Sequence, residues 1–122
     1  MTEKRMFINA TPHVITLRQR DGLDVSFQPC GTVPRVNTIE EDAGFNCVPL
    51  VTSELGEVTN LPDFSELNHN GTVHIFCIVS RMVLDAVEPV KGVTFVAPDS
   101  GKTAIRNEKG HVQAVTRLIV KK

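Results

Sequence analysis

The chain has 122 residues, a length at which one domain builds a proper core without disulfide or metal staples. A net charge of −1, with 22% charged and 41% hydrophobic residues, argues against binding to a DNA or RNA polymer, which wants a basic face. No apolar run approaches the roughly 18 residues of a bilayer-spanning helix, so no membrane partner is expected.

The charges of residues 1–5 are followed by no long apolar region, so no secretory leader is expected. A short apolar run at 6–9 is punctuated by Thr11, Pro12 and His13. Residues 14–18 and 23–27 alternate with period two, and Asp21-Gly22 between them is a favoured hairpin turn, which predicts two paired strands. After a turn at 28–31, residues 32–39 alternate again and place Val33, Arg35, Asn37 and Ile39 on one face. Pro34 donates nothing to a ladder, so this strand is expected at an edge or to be irregular. Arg35 is either a solvated guanidinium whose stem covers apolar surface or an arginine aimed into a pocket.

The acidic stretch 40–44 reads as a solvated turn, and 46–52 as a strand broken by Pro49. Residues 53–72 show little periodicity and predict a long excursion with one short strand near 57–59. The continuous apolar run 73–79 has the pattern of a central strand. Ser80 then caps a helix over 81–87, ended by Pro89, with Val83, Leu84 and Val87 facing the sheet. From 93 onward the pattern is strand, polar loop (98–103), strand, turn (107–110) and a last strand over 111–120, with Val112, Ala114, Thr116 and Leu118 on one face and His111, Gln113, Val115, Arg117 and Ile119 on the other. Lys121 and Lys122 read as a frayed tail. The elements sum to a single α+β domain: a mostly antiparallel sheet with one short packed helix.

The three cysteines, Cys30, Cys47 and Cys77, form no C-x-x-C pair and read as free thiols of a reducing cytosol. His13, His69, His74 and His111 stand at no ligand spacing, so neither a metal nor another cofactor is expected. No nucleophile elbow or other local signature of an enzyme is present, although triads assemble across a fold and leave no sequence spacing.

The densest polar run is Pro98-Asp-Ser-Gly-Lys-Thr103. It is not a phosphate loop, because position 96 is valine rather than glycine and too few residues follow Thr103 for a helix. What survives is either an ordinary surface loop or an anion-binding concavity, with Gly101 letting amides converge beside Asp99, Ser100 and Lys102. Arg35, Arg106 and Arg117 are strand arginines whose rigid forks suit phosphate, and they converge if the 32–39 strand lies near the C-terminal hairpin. With no Trp or Tyr, only six phenylalanines are left to stack on a base.

Five short segments are spread along the chain from residue 9 to residue 118: Asn9-Ala-Thr-Pro-His13, Pro29-Cys-Gly-Thr-Val-Pro-Arg-Val36, Val96-Ala-Pro-Asp-Ser-Gly-Lys-Thr103, Ala104-Ile-Arg-Asn107 and Ala114-Val-Thr-Arg-Leu118. In these the chain resembles a family of short phage and prophage proteins that includes the first-described anti-Thoeris sponges, which sequester glycocyclic ADP-ribose made by bacterial TIR-domain enzymes. The resemblance implies capture without catalysis, in the cytoplasm of the infected bacterial host, of a cyclic ADP-ribose-type nucleotide, with cyclic di- or trinucleotides as further candidates. It also implies a homo-oligomer, dimer or hexamer, with pockets shared between protomers. Arg35, Arg117 and the loop from Asp99 to Lys102 would be the ligand contacts, and the family's stacking aromatic and its asparagine fall nearest to Phe95 and Asn107. Two other classes stay open: an enzyme such as a phosphodiesterase acting on the same signal, and a small structural or assembly protein of a phage particle.

Overall fold

A computed structural model describes residues 4–67 and 73–121. The expectations for residues 1–3, His69, the end of the 53–72 stretch and Lys122 lie outside them. In chain order the elements are β1 (Lys4–Asn9), β2 (Ile15–Arg18), β3 (Asp24–Phe27), β4 (Arg35–Phe45), β5 (Pro49–Thr59) and α1 (Phe64–Leu67), then β6 (Val73–Ile78), α2 (Arg81–Ala86), β7 (Val93–Pro98), β8 (Ile105–Arg106), β9 (Val112–Ala114) and β10 (Leu118–Val120). The fold is α+β, dominated by strands, and among the described residues four of six strand pairings are antiparallel.

The apolar run 73–79 does become an inner strand. The main sheet has the order β1-β6-β7-β10, with β1, β6 and β7 parallel and β10 antiparallel to β7. Parallel pairing needs a crossover, and α2 supplies it between β6 and β7. Ser80 starts that helix as expected, its hydroxyl accepting from the Val83 amide at 3.3 Å. Val83, Leu84 and Val87 pack with Cys77, Phe95 and Ala97 into the core, and Ile8 and Ile119 complete it from the outer strands. At about 25 cal/mol per Å² of apolar surface, a fully buried side chain such as Leu84 contributes roughly 2 kcal/mol. The opposite sheet face carries an aromatic stack: Phe7 lies 4.8 Å from Phe76 and 5.5 Å from Phe27, centroid to centroid, and His74 meets the edge of Phe76.

Three two-stranded pieces surround this sheet: β2 with β3, β4 with β5, and β8 with β9. The β2–β3 hairpin turns where Asp21-Gly22 predicts, with Gly22 at φ 86. Several other expectations are corrected. Glu40, Glu41 and Asp42 are not a turn but lie within β4, and the chain reverses later, at Asn46–Val48, with Cys47 at φ 63. Pro49 opens β5 instead of breaking a strand, a position where its missing N–H costs no ladder bond. The strand expected near 57–59 is the end of β5, so most of the predicted excursion is regular structure. A second short helix, α1, follows it, and Phe64 there meets Phe95 edge-on at 5.8 Å. The last strand is two: β9 ends at Ala114, Val115 exchanges backbone hydrogen bonds with β2, and β10 then enters the main sheet. Lys121 is no frayed tail, since its ammonium donates to the Asp85 and Val87 carbonyls at the end of α2.

The buried polar residue Asn9, 1% exposed, ties the pieces together. Its Nδ2 donates to the carbonyls of His13 and Phe27, at 2.7 and 2.8 Å, and its Oδ1 accepts from the amide and hydroxyl of Thr11. Losing a partner leaves a buried group unsatisfied at about 1–3 kcal/mol each. Asn9→Ala is therefore expected to destabilise by about 3 kcal/mol or more in urea unfolding, and a loss below about 1 kcal/mol would show the network to be dispensable.

Burial pushes the Cys77 thiol up to about 12, with the nearby Cys30 adding to the rise. Cys30 and Cys47 are exposed. A thiol reagent at mildly alkaline pH should modify two cysteines in the folded protein and the third only in denaturant; fast reaction of all three would contradict this core.

Candidate anion-binding site

Parallel strands place their carboxyl ends on one edge, and loops leaving that edge are where ligands of parallel sheets usually bind. Here the edge collects Thr11–His13 after β1, Ser80 and Arg81 after β6, and Asp99–Thr103 after β7. Because β10 runs the other way, pairing Leu118 with Pro98, the residue before it, Arg117, reaches the same edge.

Asp99 organises the loop. Its amide donates to the Arg117 carbonyl at 3.2 Å, its Oδ1 accepts from the Gly101 amide at 3.0 Å, and its Oδ2 accepts from Arg117 Nε. The Arg117 hydrogen bond, then that of Gly101, hold the Asp99 carboxyl below the usual range, and the charges of Arg117 and Arg81 act in the same direction. Glycine matters at 101, since a Cβ there would stand 3.1 Å from Asp99 Oδ1.

Arg106 staples this loop to the next turn: one Nη donates to the Ser100 carbonyl at 2.8 Å and the other to the Gly110 carbonyl at 2.9 Å. Asn107 Oδ1 accepts from the amides of Lys109 and His111 and so fixes that turn. Arg106, Asn107, Glu108, Lys109, His111 and Gln113 line an open depression of about 640 Å³, so one carboxylate stands among its cations.

Seven of the nine predicted residues are thus gathered in one region: Asp99, Ser100, Gly101, Lys102, Arg106, Asn107 and Arg117. Two are not. Arg35 is exposed at the foot of β4, paired across the hairpin with Thr59, and among the described residues no hydrogen bond or ion pair joins it to the loop. Phe95 is 7% exposed, a core residue on the helix side, where with Val87, Pro89, Val93 and Lys121 it lines a separate cavity of about 340 Å³. Its expected role as the exposed stacking ring does not fit that place. The sequence reading also passed over Arg81, whose charge reaches Asp99. The available signal was its position directly after the cap of the helix that follows the central strand.

The amide expected to cradle an anion already holds one, the protein's own Asp99 carboxylate. An incoming oxyanion has two routes: the Arg117 Nη groups and Lys102, which are exposed, or displacement of Asp99. Among the described residues no group of three or more His, Cys, Asp or Glu side chains could hold a metal ion. Comparison of the chain with family models, with curated proteins and with solved structures finds no match.

A carboxyl whose folded-state pKa is depressed keeps its favourable tie at every pH above the ordinary carboxylate range and loses it as pH falls through the lower, folded value. The loop is therefore closed at neutral pH, and its Asp99 tie is given up only in acid, below about pH 4. A carboxylate NMR titration should find Asp99 below the ordinary aspartate range, and in Arg117→Ala its midpoint should rise toward that range. An unmoved midpoint would show that Arg117 does not set it.

Proposed function

We propose that the protein is a phage anti-defence sponge. It captures a cyclic nucleotide immune signal of the glycocyclic ADP-ribose type at the carboxyl edge of the parallel strands and releases it unchanged. The observation that carries this reading is the convergence of the Asp99–Lys102 loop with Arg106 and Arg117. Guanidinium and ammonium donors suit a diphosphate, and each charge-assisted hydrogen bond contributes about 1.5–3 kcal/mol. Cyclic di- and trinucleotides carry the same phosphodiester chemistry and are further candidates. Capture without cleavage is part of the same proposal; what supports it is that the groups gathered at this edge are mainly hydrogen-bond donors, while the Asp99 carboxylate is tied to Arg117 and Gly101. The bacterial cytoplasm is where such a signal would be met, and a homo-oligomer belongs to the same reading.

A thermal-shift panel of ADP-ribose, its glycocyclic isomers and cyclic di- and trinucleotides tests it. Ligand at about 100 times Kd adds roughly 2.7 kcal/mol to the folded state, which moves the midpoint by several degrees. One cyclic species should give such a shift, and heating the complex should return that species intact. Arg117→Ala should weaken binding about tenfold or more while leaving the ligand-free midpoint nearly unchanged, because the side chain is 64% exposed. A flat panel ends the reading, and steady loss of the ligand would make the protein an enzyme.

A further inference from the structure

The β4–β5 hairpin is an arm without a body to lie on. Val36 and Val58 anchor its foot in the core. From residue 37 to residue 55 every position is exposed. Gly56 and the irregular pairing between Val36 and Thr38 mark where the arm leaves, and a Cβ at 56 would stand 2.8 Å from the Asn37 carbonyl. At roughly 3.3 Å per residue the free part, Thr38 to Phe45, is about 25 Å long.

Two-stranded hairpins are marginal in water by themselves, and among the described residues no further strand pairs with either edge of this one. The arm nonetheless exposes Ile39, Phe45, Val48, Leu50, Val51 and Leu55, with Phe45 at 75% and Val51 at 65%. The whole chain exposes 8873 Å², whereas a globular monomer of its mass exposes about 6,500 Å². The excess, about 2,400 Å², exceeds the roughly 800 Å² that each partner contributes to a standard interface.

Charge indicates what covers it. Residues 35–59 hold one arginine against five carboxylates, a net −4, which leaves +3 on the remainder of a chain whose total is −1. The arm is therefore complementary to the body of another copy of the same chain. An arm given and an arm received make a closed two-fold pair.

We propose that the protein dimerises by arm exchange: the acidic β4–β5 hairpin of each copy lies on the basic body of its partner and buries the apolar tip around Phe45 and Val51. The inference names the surface for the homo-oligomer of the functional reading but stands on exposure and charge alone. Its test uses ligand-free protein, so the two succeed or fail separately.

Sedimentation velocity of the full chain at tens of micromolar should give a species of about twice 13.4 kDa. Phe45→Asp and Val51→Asp, at exposed positions that leave the monomer fold intact, should each raise the dimer Kd at least tenfold. The double change Glu40→Lys with Glu41→Lys should do the same, and added salt should weaken the wild-type dimer. A wild type that stays monomeric overturns the proposal. So does a dimer that the tip variants leave intact, and so does one indifferent to the charge reversal, which would mean tip-on-tip association.

Discussion

The buried amide of Asn9 is the interaction on which the rest of the architecture depends. An asparagine side chain offers two donors and an acceptor with two lone pairs, and here all four positions are used, on His13, Phe27 and, twice, Thr11. The main chain adds to it: the Asn9 carbonyl accepts from the Cys30 amide, and the next amide, of Ala10, donates to Ile78. One residue thereby fixes the end of β1, the bend after it, the end of the β2–β3 hairpin and the start of the segment leading to the arm. In a protein interior such a network is either complete or costly, so it specifies one arrangement of these pieces rather than several. The carboxyl edge that carries the candidate site is built outward from it.

Much of this was legible in the residues, for reasons that can be located. Continuous apolar runs mark strands buried on both faces, which is why 73–79 read correctly as an inner strand. Ser80, Pro89 and Asp21-Gly22 act through local backbone chemistry and needed no tertiary information. The failures cluster where the environment departs from the usual one. Period-two alternation reports one wet and one dry face, and β4 and β5 have water on both, so their acidic middle looked like a turn. Between β9 and β10 the chain changes sheets without a glycine or proline to mark the passage, so one strand was read where there are two. The parallel pairing of β1 with β6 joins strands more than sixty residues apart, beyond the reach of any local pattern.

The candidate site was half legible for a related reason. The loop and the two arginines that flank it are close in sequence, and a short hairpin brings them together. What residue types alone did not reveal is that Asp99 fills the loop. A carboxylate read as one polar residue among several turns out to be the internal anion that Gly101 and Arg117 bind. Phe95 is a different case: its neighbours Val96 and Ala97 are buried as it is, and its ring lines the cavity on the helix side rather than the loop.

These features put a physical condition on tight anion capture. Arg106 already donates to two carbonyls and Arg117 to a carboxylate, so an incoming phosphate exchanges partners and does not merely gain them. In open solvent such an exchange returns little, because charges there act through a high dielectric and are screened by salt. Arg117, Lys102 and Arg106 are all exposed in the single chain. A high-affinity complex at this edge therefore requires a cover that removes water from the cations and the bound anion together. The chain carries surplus surface in the β4–β5 arm, far more than its own core can use. A second copy that takes up that arm would bring protein toward a body whose cations a lone chain leaves wet.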